Sequence, residues 1–407
     1  MFKSGFRNQE SPMKKKLFVY ICFFSLPFWT ACSEDSDPSS AKTEEEVSSA
    51  SEDIDEEESS SSTSDENLAD YAPAIRMNKM LGHGINFGNS WDASCSNNLI
   101  SSGNCLDNGW NHPIQDEWFQ IVKDAGFQSI RIPVRWNQTA LNEPPYTVQK
   151  ERVEGVREDV KIANSLGMPA IINIHHYNEL YDDPDGQKEK FYAMWEQIAE
   201  AFKDFSNDSL VFEVLNESRG QSDKQLAELT NKAIQIIRKS NPKRTIMVNP
   251  GNYGKFELMG KLDLPKDDGN IILSGHYYEP FSYSHQGHNS SCGNVWDEND
   301  NKRAATIVKD LKSYVAMAKA VYPGKNGTYM PLNMGEFGAS SKCAAEGADE
   351  ANRATYLESI VSVANELGIT WHVWGFTGVD FDTYNYNWAT GEGEWYPTII
   401  KTLQKYL

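Results

Sequence analysis

Glu217 and Glu336 each stand where an apolar run gives out, Glu217 just after Leu210–Leu215 and Glu336 at the close of Met330–Glu336. Arg131, His175, His176, Asn216, His276, Tyr278 and Trp374 occupy comparable places, in or directly after short Ile- and Val-rich segments. Polar groups at such positions are costly unless they meet water or one another, so their recurrence points to one shared polar site. Two carboxyls, one keeping its proton near neutral pH and one ionised, are what cutting a glycosidic bond requires. A gap of about 5 Å between Glu217 and Glu336 would permit nucleophilic attack with retention, and one of about 6.5–9.5 Å would admit water and give inversion. Arg131 and Tyr278 would hold Glu336 ionised, since a cation or a donated hydrogen bond favours the charged carboxylate. Asn216 would meet a sugar 2-hydroxyl, and His175 and His276 would donate to hydroxyls or to the carboxylates. Trp374 offers a flat face for a pyranose, with Trp91, Trp110, Trp136 and Trp388 as candidates for further subsites.

Other chemistries fit the same residues less well. Singly, Glu217 could be a helix-start carboxylate, Glu336 a loop acid and Arg131 a structural ion-pair partner; jointly, at the ends of successive segments, they are hard to explain that way. His175, His176, His276, His285 and His288 are scattered over loops without the i,i+4 pair of a helical metal site. Cys95, Cys105, Cys292 and Cys343 lack the close ligand pairs of a zinc site, and loop-like surroundings make them disulfide candidates in an oxidising compartment. The chemistry calls for no metal or organic cofactor. A glycan-binding protein on a dead scaffold is the alternative from another class, disfavoured because both carboxylates are present.

Groups lying this far apart in sequence must be gathered by the fold. Eight apolar segments, Leu81–Phe87, Gln128–Val134, Pro169–His175, Leu210–Leu215, Thr245–Asn249, Ile271–Tyr277, Met330–Glu336 and Thr370–Trp374, read as strands. Stretches of helical spacing alternate with them, among them Arg152–Leu166, Lys190–Phe205, Asp223–Ser240, Lys302–Val321 and Asn352–Leu367. Eight strand-then-helix units predict an α/β fold, a closed (β/α)8 TIM barrel over residues 67–407, with catalytic groups at the C-terminal ends of the strands. A doubly wound sheet is disfavoured, because Gly82-His83-Gly84 lacks the third glycine and the following helix of a phosphate loop.

The first 66 residues are of another kind. Lys14, Lys15 and Lys16 precede an apolar run from Leu17 to Trp29, too short for a mature membrane span and suited to a secretory signal over residues 1–32. Its end, Trp29-Thr30-Ala31-Cys32, is similar to a bacterial lipobox, which makes Cys32 the expected lipid attachment site; Met13 is an alternative start. Residues 33–66 hold fourteen acids against Lys42 and are expected to be a disordered, Ser-rich tether. The net charge of −20 leaves no basic patch to draw nucleic acid. The expected setting is the bacterial cell envelope, outer membrane or cell surface, with membrane contact only through the lipid and the chain a monomer.

The motifs together resemble glycoside hydrolase family 5, the cellulase family. Gly84-Ile85-Asn86-Phe87-Gly88-Asn89 with Trp91-Asp92-Ala93 is similar to the family's first-strand motif and adds Asn89 to the subsite candidates. Ile130-Arg131-Ile132-Pro133-Val134, Asn173-Ile174-His175-His176, Leu215-Asn216-Glu217, His276-Tyr277-Tyr278, Gly335-Glu336-Phe337-Gly338 and Trp374 follow in the family's order. The resemblance implies Glu217 as acid/base, Glu336 as nucleophile and a retaining endo-β-1,4-glucanase with β-1,4-glucan as its polysaccharide partner. A β-mannanase or a mixed-specificity xyloglucanase or lichenase is the alternative on the same scaffold. The stretch from His276 to Gly287 resembles endoglucanases of which some accept mannan, and in these the histidine matching His285 lines the cleft. Departures are the insertion carrying Cys95 and Cys105 and the long loop carrying Cys292, both expected to border the cleft.

Overall fold

Each barrel strand is buried on both faces, which is why the sequence shows apolar runs instead of a clean in-out alternation. The computed structural model describes residues 68–94, 112–288, 290–297, 301–378 and 380–407. The expected secretion signal over residues 1–32 with Cys32, the expected tether over residues 33–66, Cys95, Cys105 and Trp110 lie outside the described residues. Strands β1 (His83–Asn86), β2 (Ser129–Ile132), β3 (Ala170–Asn173), β4 (Leu210–Glu213), β5 (Ile246–Val248), β6 (Ile271–His276), β7 (Leu332–Glu336) and β8 (Thr370–Val373) pair in parallel and in sequence order. The barrel closes where His83, Gly84 and Ile85 of β1 pair with Trp371, His372 and Val373 of β8. All eight expected strands are present, each shorter than expected. His175, Asn216, Glu217, Tyr278 and Trp374 therefore stand one to four residues beyond their strands, on the rim.

The alternation hidden in the sequence sorts side chains between two compartments. Ile171, Val211, Met247 and Ile272 face the barrel axis and pack on Ala74, Met77 and Leu81 of helix α1 (Ala72–Leu81). Their neighbours Ile172, Phe212, Val248 and Leu273 face outward into the larger core beneath the surrounding helices. Helix α1, absent from the sequence reading, stops the N-terminal mouth: its Asn78 donates to Leu332 O at 3.0 Å and accepts from Thr370 Oγ1 at 2.7 Å, at the starts of β7 and β8.

The outer helices are α2 (Asp116–Ala125), α3 (Lys150–Ser165), α4 (Pro184–Ala201), α5 (Asp223–Ser240), α6 (Asn301–Val321), α7 (Glu350–Glu366) and α8 (Pro397–Leu403). α5 shows why they form where they do. Ser222 and Gln225 make a reciprocal capping box, Asp223 sits at the positive end, and Arg238 and Lys239 occupy the last turn. Its Leu226, Leu229, Ala233, Ile234 and Ile237 recur at helical spacing and are buried. After β8 an antiparallel hairpin, β9 (Tyr384–Asn387) with β10 (Glu392–Trp395), lies outside the barrel. A disulfide joins Cys292, in the loop after β6, to Cys343, in the loop after β7.

Candidate active site

One layer above the apolar plug, the inward positions become polar. Asn86 on β1, Arg131 on β2, Asn173 on β3, Glu213 on β4 and Glu336 on β7 are all buried. Arg131 occupies the middle. Its Nε and Nη2 donate to Glu213 Oε2 and Oε1 at 2.6 and 2.8 Å, a two-pronged pair with both side chains wholly buried. Its Nη1 donates to Glu336 Oε1 at 2.7 Å and to Asn86 Oδ1 at 2.8 Å, and Nη2 also reaches Asn216 Oδ1 at 2.6 Å. One guanidinium thus fixes groups from β1, β4 and β7.

Glu336 is held at both oxygens, since Tyr278 Oη donates to Oε2 at 3.1 Å. Burial keeps the Tyr278 phenol protonated well beyond its ordinary range, so that donation persists at alkaline pH. Glu217 is more open to the cleft, and His276 Nδ1 lies 2.9 Å from its Oε1 and 3.4 Å from Glu336 Oε2. One carboxylate oxygen of each glutamate and the imidazole nitrogen lie within 4.8 Å of one another. That proximity is in keeping with the close carboxyl spacing of double displacement.

The three groups share a proton. Burial lowers the imidazolium affinity of His276, but the Glu336 charge and the hydrogen bond with Glu217 bring its pKa above the ordinary value. Burial penalises the Glu217 carboxylate, and the hydrogen bond and charge of His276 outweigh that and hold its pKa low. At Glu336 burial wins over the pull of His276 and Arg131 and pushes the carboxyl up. Arg131 and Tyr278 each donate to one Glu336 oxygen, which keeps this carboxyl group aimed. The 2.9 Å contact between His276 Nδ1 and Glu217 Oε1 gives a proton a short path between the two groups at the more open carboxylate.

The remaining candidates divide into cleft and core. His175, His176, Asn216, His285 and Trp374 join the two glutamates, His276 and Tyr278 around a cleft of about 630 Å³, within the size range of small-ligand sites. Burial pulls the His176 and His285 pKa values down to about 4 and His175 well below its ordinary value, so these rings line the cleft as neutral hydrogen-bonding groups. Asn89, His176 and Glu217 all adopt positive φ, 66°, 52° and 44°, an uncommon conformation for residues with a Cβ that gathers at functional rims. Trp91 and Trp136 are corrections to the sequence reading, which took them for subsite platforms. Trp136 is wholly buried with its Nε1 donating to Asn173 O at 2.9 Å, and Trp91 is buried with its indole donating to Asp159 and Arg152 over its face. Trp388 is exposed, but beside the β9–β10 hairpin against His112, Trp118 and Tyr386.

Among the described residues three groups of side chains have donor sets close enough for an ion: Glu217 with His276 and Glu336, Asp92 with His175 and His176, and Glu346 with Cys292 and Cys343, whose sulfurs are tied up in the disulfide. The charges of Arg131 and Arg135 already weigh on both His175 and His176, which opposes adding a cation to the second group. Sequence reasoning missed Glu213, Asn86 and Tyr253. An acid at the end of an all-apolar strand was the available signal for Glu213, because such a charge demands a partner.

Residues 91–379 match the family model Cellulase (glycosyl hydrolase family 5). Endoglucanase H of Acetivibrio thermocellus is 29% identical over 317 residues, 77% of this chain and 32% of that protein. Endoglucanase A of Clostridium longisporum is 30% identical over 318 residues, 71% of this chain and 56% of that protein. The chain thus spans about a third to just over half the length of these relatives. Thermotoga maritima Cel5A, solved in complex with a mannotriose substrate and also with cellobiose, superposes with a TM-score of 0.70 at 30% identity, over 81% of this chain and 99% of that one.

Proposed function

This chain belongs to glycoside hydrolase family 5, and from that premise we propose that it cleaves internal β-1,4 bonds of a cellulose-type glucan with retention of anomeric configuration. The observation that carries the proposal is the pair of carboxylates within 4.8 Å, one anchored by Arg131 and Tyr278 and the other joined to a proton on His276. In the first step an oxygen of Glu336 attacks the anomeric carbon while Glu217, reloaded from His276, gives its proton to the departing oxygen. The bond to the leaving sugar breaks and a glycosyl ester forms. In the second step Glu217 takes a proton from water, the water oxygen attacks the same carbon, and Glu336 leaves as carboxylate. Two inversions return the starting configuration.

Glucan and mannan differ at the sugar 2-position, so a few side chains near the reactive ring decide between them. The mannotriose and cellobiose complexes of Thermotoga maritima Cel5A favour a second reading in which this cleft takes both backbones. The sequence features of residues 1–66 support secretion and lipid attachment through Cys32, with the acidic tether giving the enzyme reach from the bacterial envelope. The test is proton NMR of the first minutes of hydrolysis on soluble β-1,4-glucan and on mannan. Early β-anomer with mixed oligomers is expected; early α-anomer excludes the double displacement, and absence of products moves the chain to the glycan-binding class.

A further inference from the structure

The segment after β5 does something a simple turn has no need to do. Asn252 and Tyr253 both take left-handed conformations, φ 52° and 65°, and Gly254 follows at 74°. Bulky side chains seldom adopt this region, and such strain persists where surrounding structure demands it. Gly254 is pressed against the site, since a Cβ there would come 3.3 Å from the His276 ring. The outcome is that Tyr253 is lifted into the cleft wall with half of its surface open, 51% exposed, in a protein that buries most of its aromatics.

What lies beneath Tyr253 ties it to the acid. The Arg219 guanidinium sits 5.3 Å from the Tyr253 ring centre and 4.5 Å from that of Tyr181, a cation between two aromatic faces. Arg219 is two residues beyond Glu217 and is anchored by a 2.8 Å hydrogen bond to Asn178 Oδ1. Tyr181 Oη donates to Asn216 O at 2.5 Å, and the Tyr253 amide donates to Ser218 O at 3.3 Å. Every layer of the stack therefore touches the backbone of residues 216–218, which carries Glu217.

We propose that Tyr253 is the stacking platform for the sugar on the leaving-group side of the cleft, and that the Tyr181–Arg219–Tyr253 stack couples occupancy of that subsite to the position of Glu217. The proposal rests on the glycosidase reading and extends it. Tyr253, after β5, lines the same cleft as Trp374 and the two carboxylates, and it packs on the segment that carries Glu217. The oxygen that Glu217 protonates belongs to the leaving sugar, and the Tyr253 stack rests on the backbone of residues 216–218 that carries Glu217. A pyranose laid on the phenol ring would press on the stack and hold Glu217 against the glycosidic oxygen.

The test compares the wild-type chain, Tyr253→Ala and Tyr253→Phe on two substrates. β-Cellobiosyl fluoride fills only the glycone side, because fluoride replaces the leaving sugar and departs without a general acid; cellotetraose needs the leaving-group subsite. Tyr253→Ala is expected to stay within about twofold of wild type on the fluoride while kcat/KM on cellotetraose falls roughly tenfold or more, with Tyr253→Phe close to wild type on both. Equal losses on both substrates, or no loss on cellotetraose, overturn the platform. A wild-type chain inert on both substrates overturns the glycosidase reading itself.

Discussion

Replacing Glu213 with Gln separates the charge of this residue from its shape. Glu213 touches no cleft and accepts from Arg131 Nε and Nη2 and from Asn249 Nδ2, at 2.6, 2.8 and 3.0 Å. A Gln amide offers one acceptor oxygen and turns its NH2 toward donors that need an acceptor. Breaking a buried ion pair costs about 3–5 kcal/mol, and because Arg131 keeps Glu336 as a counter-charge the lower end applies. The electrostatic effect has a definite sign. The Arg131 guanidinium bridges Glu213 and Glu336, and two unit charges held across one such group interact by about 2 kcal/mol at an effective dielectric near 20. Removing that negative charge favours the Glu336 carboxylate and disfavours the His276 imidazolium, so both limbs of the pH profile of kcat/KM should move to lower pH, by about one unit after screening. Glu213→Asp, which keeps the charge but shortens the side chain, should lose stability without moving the limbs. Urea unfolding and a pH profile from 4 to 9 read both quantities. A Gln variant with wild-type stability and unmoved limbs would falsify the idea that Glu213 sets the charge balance of the site.

Glu217→Ala should lose about 10²–10⁴ in kcat on glucan yet keep turnover on aryl glycosides with activated leaving groups, which need little protonation; equal loss on both removes Glu217 from the acid role. Acid should destabilise the fold well above the carboxylate range. His372, pulled down to about 3 by burial, and buried His175 bind no proton when folded but take one up near pH 6.5 when unfolded. Their contribution is complete above that pH and falls by about 1.4 kcal/mol per unit for each as pH drops, while His276, raised by its glutamates, acts in the opposite sense and loses its stabilisation as pH climbs through its folded value. Urea midpoints between pH 7.5 and 4.5 should therefore decline steadily, and a flat profile down to pH 5 contradicts the neutral buried imidazoles. Trp136→Phe should cost about 1–3 kcal/mol through the orphaned Asn173 carbonyl and leave KM for glucan unchanged, where a subsite role would raise it.

The ends of the strands were legible because polar side chains interrupt apolar runs, and an interruption is visible without knowing what it faces. Glu217, Glu336, Arg131 and His276, which the barrel brings together, were singled out in that way. Partners were not legible, since contacts across a barrel join residues with no relation in sequence: Trp91 meets Asp159 and Trp136 meets Asn173 only after β2 and β3 pair. A Trp near a strand end serves a core as readily as a cleft, and its spacing does not say which. Helix α1 escaped notice because nothing in ten residues of mixed character announces that they will stop a barrel mouth. Glu213 is the instructive omission. It lies in Leu210–Leu215, a segment taken as uniformly apolar, yet a charge there cannot be buried alone and Arg131 on a neighbouring inward position was the one cation with a strand to bring it close. Had the two been paired from the outset, Arg131 would have been divided between Glu213 and Glu336, and an arginine so divided is a weaker counter-ion to its nucleophile than one committed to it. That division lets burial lift Glu336 while its hydrogen bonds still keep it aimed.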